Sequence, residues 1–167
     1  FSLFGRPPGN VPMTAYGIWQ FSEMGRVYPV DKSMIKRQIR WVKAKMNAQG
    51  MFPYNRYNRR SKRILVNTAY VAFALSQAGH KDLEKTLKAM NNDDNLEKDP
   101  YPLALATLTM QKIWGADDKR AKKRLAQLLA LQQLNGSFRG RVASATYSRG
   151  LNLYIETTSL AILSMIR

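Results

Sequence analysis

Residues 65–79 constrain the fold of this chain more than any other stretch. Their apolar side chains fall on nearly every side of a helical wheel, their polar side chains lie near the two ends, and Gly79 comes last. A glycine after the last turn favours a helix stop, and apolar residues on most faces indicate a helix that is buried on those faces. Such a helix needs neighbours all round.

Three other stretches look like copies of this helix, and each begins with a comparable triplet. Counted from the triplets, the copies are separated by 54, 36 and 53 residues, so each interval has room for a second helix or for a helix and a loop. This spacing predicts inner helices that alternate with outer helices. The triplets are Thr14-Ala15-Tyr16, Thr68-Ala69-Tyr70, Ala104-Leu105-Ala106 and Thr157-Thr158-Ser159.

The predicted outer helices are apolar on one side only. Between residues 32 and 47, Ile35, Ile39 and Val42 follow helical spacing, while most lysines and arginines lie on other faces. Asp31 and Asp99 are the expected N-caps of two helices. The predicted inner helices are residues 13–24, 67–78, 101–114 and 154 onward, and the predicted outer helices are residues 32–47, 81–90 and 117–134.

The connecting segments carry their own signals. Residues 1–12 are rich in glycine and proline, which indicates a loop that ends before the first helix. Gly50 and Gly136 precede Phe52 and Phe138 at the same offset, so two outer helices are expected to finish in similar turns that bring an aromatic ring back into the core. Residues 139–153 are expected to form a polar, flexible and basic connector.

Net charge is the strongest compositional signal. Lysine and arginine outnumber aspartate and glutamate by 27 to 11, which gives a net charge of +16 and suits an acidic partner. A solvated basic exterior explains the same surplus. The chain has no cysteine, which excludes disulfides and thiolate chemistry within it, and no apolar run approaches the roughly 20 residues that cross a bilayer.

Half of residues 54–63 are basic, and this run is the best candidate for contact with an anion, since guanidinium groups pair with phosphate and tyrosines stack. A solvated loop is the other interpretation. The candidate anion contacts are Arg56, Arg59, Arg60, Lys62 and Arg63.

Signals for catalysis are few. His80 is the only histidine and follows the stop at Gly79, where an exposed turn residue is expected. Asp93, Asp94 and Glu97 have the spacing of an acidic motif that holds magnesium and diphosphate, but they lie in an asparagine-rich turn. We therefore expect no catalytic residue, no metal site and no cofactor.

A series of short motifs, in a fixed order along nearly the whole chain, resembles the thioester domain of alpha-2-macroglobulin and complement proteins. The resemblance implies an all-α fold, a partial α/α toroid, with residues 1–167 as a single domain that is a fragment of that toroid. It also implies a non-catalytic part of a broad-range endopeptidase inhibitor that traps proteases. The motifs are Phe1-Ser2-Leu3-Phe4, Met13-Thr14-Ala15-Tyr16, Trp41-Val42, Gly50-Met51-Phe52, Asn67-Thr68-Ala69-Tyr70, Asp99-Pro100-Tyr101, Leu103-Ala104-Leu105-Ala106 and Tyr154-Ile155-Glu156-Thr157-Thr158-Ser159.

The same resemblance sets expectations for the chemistry. The Cys-Gly-Glu-Gln stretch that forms the family's thioester is not in this chain, and between Phe52 and Thr68 there is no histidine of the kind found in complement members. A thioester elsewhere in the parent protein would then react directly with amines, and a parent without a thioester would trap proteases by conformational change alone. The implied location is secreted or periplasmic. The implied partners are other domains of the parent, its target proteases and acidic surfaces, with no specific nucleic acid.

Two alternatives from other classes stay open. Terpene cyclases and protein prenyltransferases are also α/α toroids, and residues 132–138 fit their Gln-x-x-x-Gly-x-Trp repeat, except that Phe138 stands in the tryptophan position. A basic helical module that binds anions rests on charge alone.

Overall fold

The computed structural model describes residues 9–53 and 61–166. Within these ranges the chain forms seven α-helices, one short 3-10 helix and no strand, so the all-α prediction is confirmed. The helices are α1 (Val11–Met24), α2 (Lys32–Lys43), α3 (Ser61–Gln77), α4 (Glu84–Asn91), α5 (Pro100–Trp114), α6 (Lys119–Leu129) and α7 (Gly150–Met165), with the 3-10 helix at Leu96–Lys98.

Helices α1, α3, α5 and α7 form an inner row. In this row α3 packs between α1 and α5, and α5 packs between α3 and α7. All residues of α3 from 65 to 77 are buried, and so are residues 100–111 of α5. The prediction of a helix buried on most faces is confirmed for α3, and α5 is a second helix of this kind.

The other three helices cover the outside of the row. Helix α2 packs against α1, α4 packs against α3 and α5, and α6 packs against α5 and α7. Ile18, Phe73 and Leu105 on inner helices are at most 5 % exposed. Lys36 and Arg40 on α2 are exposed. The predicted layers are therefore confirmed, and this alternation of inner and outer helices is that of an α/α toroid.

Helix α1 begins earlier than predicted because its N-terminus is capped by Asn10. The Asn10 side chain accepts the Met13 N–H at 2.9 Å. Pro12 then lies in the first turn, where a backbone N–H would have no acceptor within the helix, so the lack of this group in proline costs nothing. The prediction that Pro12 belongs to a loop is wrong for this reason. The predicted caps Asp31 and Asp99 are confirmed, since each carboxylate accepts the N–H two residues further on.

The outer helices α2 and α6 end earlier than the predicted residues 47 and 134. The N–H groups of Asn47 and Gln133 donate to the carbonyl oxygens four residues further on, at 2.9 and 2.8 Å. A turn closed in this way cannot also continue a helix. Leu134, which the prediction placed in α6, is therefore fully exposed.

The two predicted glycine turns are confirmed. Gly50 and Gly136 have φ angles of 91° and 85°, a left-handed conformation that glycine adopts without strain. Phe52 and Phe138, which follow them, are 2 % and 0 % exposed. Both aromatic rings thus lie in the core, as the matching offsets indicate.

Each glycine turn is bonded to the inner helix that follows it. The Phe52 N–H donates to Thr68 Oγ1 at 2.9 Å, and the Phe138 N–H donates to Thr158 Oγ1 at 3.1 Å. Thr158 therefore accepts the N–H of the turn as Thr68 does. The alignment of the repeats from sequence places Thr157 opposite Thr68, and these two residues match in burial and in the hydrogen bond of the hydroxyl to the carbonyl oxygen four residues earlier.

Helix α7 has an open apolar side. Ile155, Ile162, Leu163 and Ile166 are all exposed, Ile166 to 73 %. An apolar flank on residues 154–166, left open or covered by another copy of the chain, is the expectation from sequence, and the exposed side chains confirm that flank within a single chain. None of the helices in the described part of the chain has the length and hydrophobicity of a membrane span.

Candidate functional site

The five basic residues proposed from sequence fall in different parts of the chain. Arg56, Arg59 and Arg60 lie outside the described residues. Lys62 is in the first turn of α3, and Arg63 follows it in the same turn. The prediction that these residues contact an anion remains a prediction. For Arg63 the alternative of a solvated loop is wrong, because this residue is helical and only 7 % exposed.

The Arg63 guanidinium is held by the segment before α7. Its Nη1 donates to the carbonyl oxygens of Ala143 and Ser144, at 2.7 and 2.6 Å. Its Cζ lies 4.2 Å from the centre of the Tyr147 ring, a cation–π contact. Its Nε and Nη2 are buried and have no hydrogen-bond partner in the described part of the chain. Two of the five N–H groups of this guanidinium are thus paired within the described residues, and three are not.

Segment 139–149 is tied down by buried polar groups. The Asp99 carboxylate, besides capping α5, accepts the N–H groups of Arg141 and Val142 at 3.1 and 3.0 Å. Burial raises the pKa of Asp99, and these N–H groups oppose the rise. A Cβ atom on Gly140 would lie 2.8 Å from Thr157 Oγ1, so the segment passes directly against α7. The expectation of a flexible connector is wrong here, because specific hydrogen bonds hold the segment to α5.

Tyr101 in α5 is also bonded to segment 139–149. Its hydroxyl accepts the Ala145 N–H at 3.3 Å and donates to Glu156 Oε1 at 3.1 Å. Burial, followed by the charge of Glu156, raises the pKa of Tyr101. Tyr101 is therefore a neutral buried donor that links α5, α7 and the segment between α6 and α7.

A cavity of about 1150 Å³ opens between segment 139–149 and the start of α7. We call it the arginine cavity, because its lining includes four arginines, Arg63, Arg139, Arg141 and Arg149. None of the described residues that line it is acidic, and none of the ion pairs in the described part of the chain involves these four arginines. The cavity is therefore a concentrated site of positive charge, although the Asp99 carboxylate, which is not part of the lining, interacts with the charge of Arg141.

His80 is not the exposed turn residue that the sequence predicts. The turn itself is confirmed, with Gly79 at a φ of 84°, but His80 is half-buried and its Nε2 is buried without a partner in the described part of the chain. Burial, assisted by the nearby Lys43 charge, lowers the pKa of His80, and Asp82 opposes this shift. The causes of this shift are local, because His80 lies beside the ion pair between Lys43 and Asp82.

The acidic residues near the 3-10 helix are used internally. The Asp93 carboxylate accepts hydrogen bonds from the backbone and side chain of Asn95, at 2.9 and 2.8 Å, which confirms a polar turn. The Glu97 carboxylate accepts hydrogen bonds from Arg124 at 2.7 Å and from Gln127 at 2.8 Å. The bond from Arg124 is the main cause that lowers the pKa of Glu97. Across residues 9–53 and 61–166, no three histidine or acidic side chains gather in a way that would hold a metal ion.

Residues 132–138, which fit the cyclase-like repeat, form a turn that leads into the core. Gln132 Nε2 donates to the Gly136 carbonyl at 2.8 Å, so the glutamine closes the turn that leads to Phe138. Among the described residues, the arginine cavity is the candidate site for binding a ligand.

Sequence reasoning missed that Arg139, Arg141 and Arg149 join Arg63. The basic character of residues 139–153 is visible in the sequence, and so is the basic run before α3. What brings them together is the contact of Arg63 with the carbonyl oxygens of residues 143 and 144, which lie 80 and 81 positions away. A contact between residues so far apart in the sequence cannot be predicted from a local pattern.

Comparison with known proteins gives one family. The family model described as the A-macroglobulin TED domain matches residues 1–167, which is the full length of the sequence. No curated protein matches the chain.

Proposed function

Because the chain belongs to the A-macroglobulin TED domain family, we propose that it is a non-catalytic domain of a larger macroglobulin-like protein that inhibits endopeptidases by trapping them. The family match over residues 1–167 carries this proposal. The alternation of inner and outer helices supports it. The proposed setting is secreted or periplasmic, and the proposed partners are other domains of the same chain and, through them, the target proteases.

The use of the acidic residues supports a non-catalytic role over a cyclase. A magnesium-diphosphate site needs free carboxylates at the mouth of an apolar cavity. Asp93 instead closes a turn and Glu97 is paired with Arg124. Incubation with magnesium and prenyl diphosphates should give no turnover. Turnover that disappears in Asp93→Asn would favour the cyclase instead.

Protease trapping is tested on the full-length protein. After incubation with trypsin, we expect loss of activity on a large protein substrate but retained activity on a small chromogenic peptide, because a trapped protease is shielded only from large molecules. A heat-denatured sample of the same protein serves as the control. Equal activity of treated and untreated trypsin on the large substrate would refute the proposal.

Any thioester in the full-length protein is proposed to react directly with amines. Residues 53–67 contain no histidine that could redirect the reaction toward hydroxyl groups. Labelled methylamine should then be incorporated, and labelled glycerol should not. Preferential incorporation of glycerol would contradict this part of the proposal.

A further inference from the structure

We propose that the junction of α2, α3 and α4 is a pH-sensitive element, which is closed at neutral pH and loosens in acid when His80 takes up a proton. His80 lies in the turn between α3 and α4. An ion pair between Asp82 and Lys43 joins this turn to the end of α2. A hydrogen bond from Thr86 to the Met46 sulfur, at 3.6 Å, joins α4 to the same end. We call residues 43–46 and 77–87 the histidine corner.

The closed corner has no place for a second proton on the His80 ring. Nε2 is buried and has no hydrogen-bond partner among the described residues. In a neutral imidazole one ring nitrogen carries no hydrogen, whereas in the protonated ring both nitrogens are donors. Protonation would therefore leave Nε2–H as a buried donor without an acceptor. An unpaired donor of a buried cation costs more than an unpaired acceptor of a neutral ring.

The charges around His80 also oppose its protonation. Lys43 and Asp82 are the charged side chains that act on the ring, and the Asp82 carboxylate, which would attract a protonated ring, is already paired with Lys43. The Lys43 ammonium repels that ring. Residues 64–77 of α3 carry no charged side chain. Those of α4 are exposed to solvent, and they are Glu84, Lys85 and Lys88.

The closed corner consequently loses stability as the pH falls. In an opened, solvated corner a histidine takes up its proton near pH 6.5. Burial, followed by the charge of Lys43, lowers the pKa of His80 in the closed corner. The stabilisation of the closed form is therefore complete above about pH 6.5 and is lost as the pH falls through the lower pKa of the folded state.

Helix α4 is the element that this loss affects first. It has only eight residues, and no side chain caps its N-terminus. A short uncapped helix opens at low cost. A Cβ atom on Gly50 would lie 2.9 Å from the Lys85 carbonyl oxygen, so the glycine turn after α2 packs directly against α4. We expect loosening of α4 to reach this turn.

The test is hydrogen exchange of the full-length protein, followed by mass spectrometry at about pH 7.5 and about pH 5, on either side of the ordinary histidine pKa. Protection is corrected for the intrinsic effect of pH on exchange. We expect the protection of α4 to fall several-fold at the lower pH relative to that of α6, an outer helix in which no histidine lies. His80→Gln should remove this difference, because an amide does not titrate.

A second measurement keeps the test decisive if His80→Gln does not fold. Exchange of the imidazole C2 hydrogen, followed by mass spectrometry, gives the pKa of His80 in the unaltered protein, and we expect a value below 6.5. Lys43→Gln should raise this pKa. Lys36→Gln, an exposed change on the same helix, should leave it unchanged.

Three results would overturn the proposal. They are a pKa of His80 at or above 6.5, the same protection of α4 at both pH values, and an unaltered pH difference in His80→Gln.

Discussion

The backbone N–H of Phe52 donates to the hydroxyl oxygen of Thr68 at 2.9 Å, and both residues are buried. The bond joins the turn after α2 to the inner helix α3. Thr68 also donates its own proton to the Ile64 carbonyl at 2.7 Å, so its hydroxyl acts as both donor and acceptor. Phe138 and Thr158 repeat the first of these bonds at 3.1 Å before α7.

Thr68→Val should lower the free energy of unfolding by about 1–3 kcal/mol, because it leaves the buried Phe52 N–H without an acceptor. Thr109→Val is the matched control. Thr109 is also fully buried, but among the described residues its hydroxyl has a single bond, which it donates to the Leu105 carbonyl of its own helix. Urea unfolding followed by circular dichroism gives both values. Equal losses in the two variants would show that the turn bond adds nothing.

Gly50→Ala should destabilise the protein more than Gly136→Ala. Both glycines have a positive φ, which costs a non-glycine residue about 1–2 kcal/mol. A Cβ atom at residue 50 would also lie 2.9 Å from the Lys85 carbonyl oxygen, whereas at residue 136 the nearest atom is 3.8 Å away, on Gln132. Thermal unfolding of the two variants checks the order. A larger loss for Gly136→Ala would contradict it.

Asn67→Leu should raise the free energy of unfolding by about 1 kcal/mol, because it replaces a buried amide by an apolar group of similar size. Neither Nδ2 nor Oδ1 of Asn67 has a hydrogen-bond partner within the described ranges.

Gln111→Leu provides the comparison for Asn67→Leu. Gln111 Nε2 donates to the Ser164 carbonyl at 2.8 Å, so this change removes a bond that is in use. We expect no gain in stability from Gln111→Leu. A loss of stability in Asn67→Leu, measured by the same urea unfolding, would show that the amide has a partner beyond the described residues.

The stability of the protein should fall as the pH rises from about 10 to about 12. Burial raises the pKa of Tyr70 from 10.0 to about 12, with smaller contributions from Tyr16 and Glu156. Because the folded state holds this proton more tightly than the unfolded state, the stabilisation is complete below the unfolded pKa and is lost as the pH passes through the folded one.

Tyr70→Phe should make the alkaline loss shallower, since it removes one of the groups that release a proton on unfolding. Urea unfolding at several pH values measures the slope, and absorbance at alkaline pH follows tyrosine ionisation directly. Tyr154→Phe is a suitable control, because hydrogen bonds from Ser137 and Asn135 lower the pKa of Tyr154. An unchanged slope in Tyr70→Phe would contradict the prediction.

The inner helices and their stops were predictable because their signals are local. Apolar residues on all faces of α3 and the glycine at residue 79 lie within one segment, and Asp99 with the proline after it marks the start of α5. The matching offsets of Phe52 and Phe138 likewise need no knowledge of distant contacts. Periodicity, caps and turns therefore account for the layers.

The burial of Arg63 could not be predicted, because a basic run before a helix normally lies in water. The cost of burying the Arg63 charge is offset by the carbonyl oxygens of residues 143 and 144 and by the Tyr147 ring, which are all distant in sequence. The early ends of α2 and α6 were missed for a related reason. Their apolar pattern continues past the residues at which the backbone hydrogen bonds of the glycine turns replace those of the helix.

The order of packing in the inner row has a consequence for exchange of amide hydrogens with solvent. Helix α5 contacts α3, α4, α6, α7 and the 3-10 helix, whereas α1 contacts α3 and α2. In a row of helices where each helix is stabilised by its neighbours, local unfolding begins with the helices at the ends of the row, and the helices at its centre unfold last. The amides of α5 should exchange only when the entire domain opens, and those of α1 should exchange through smaller openings at much lower cost.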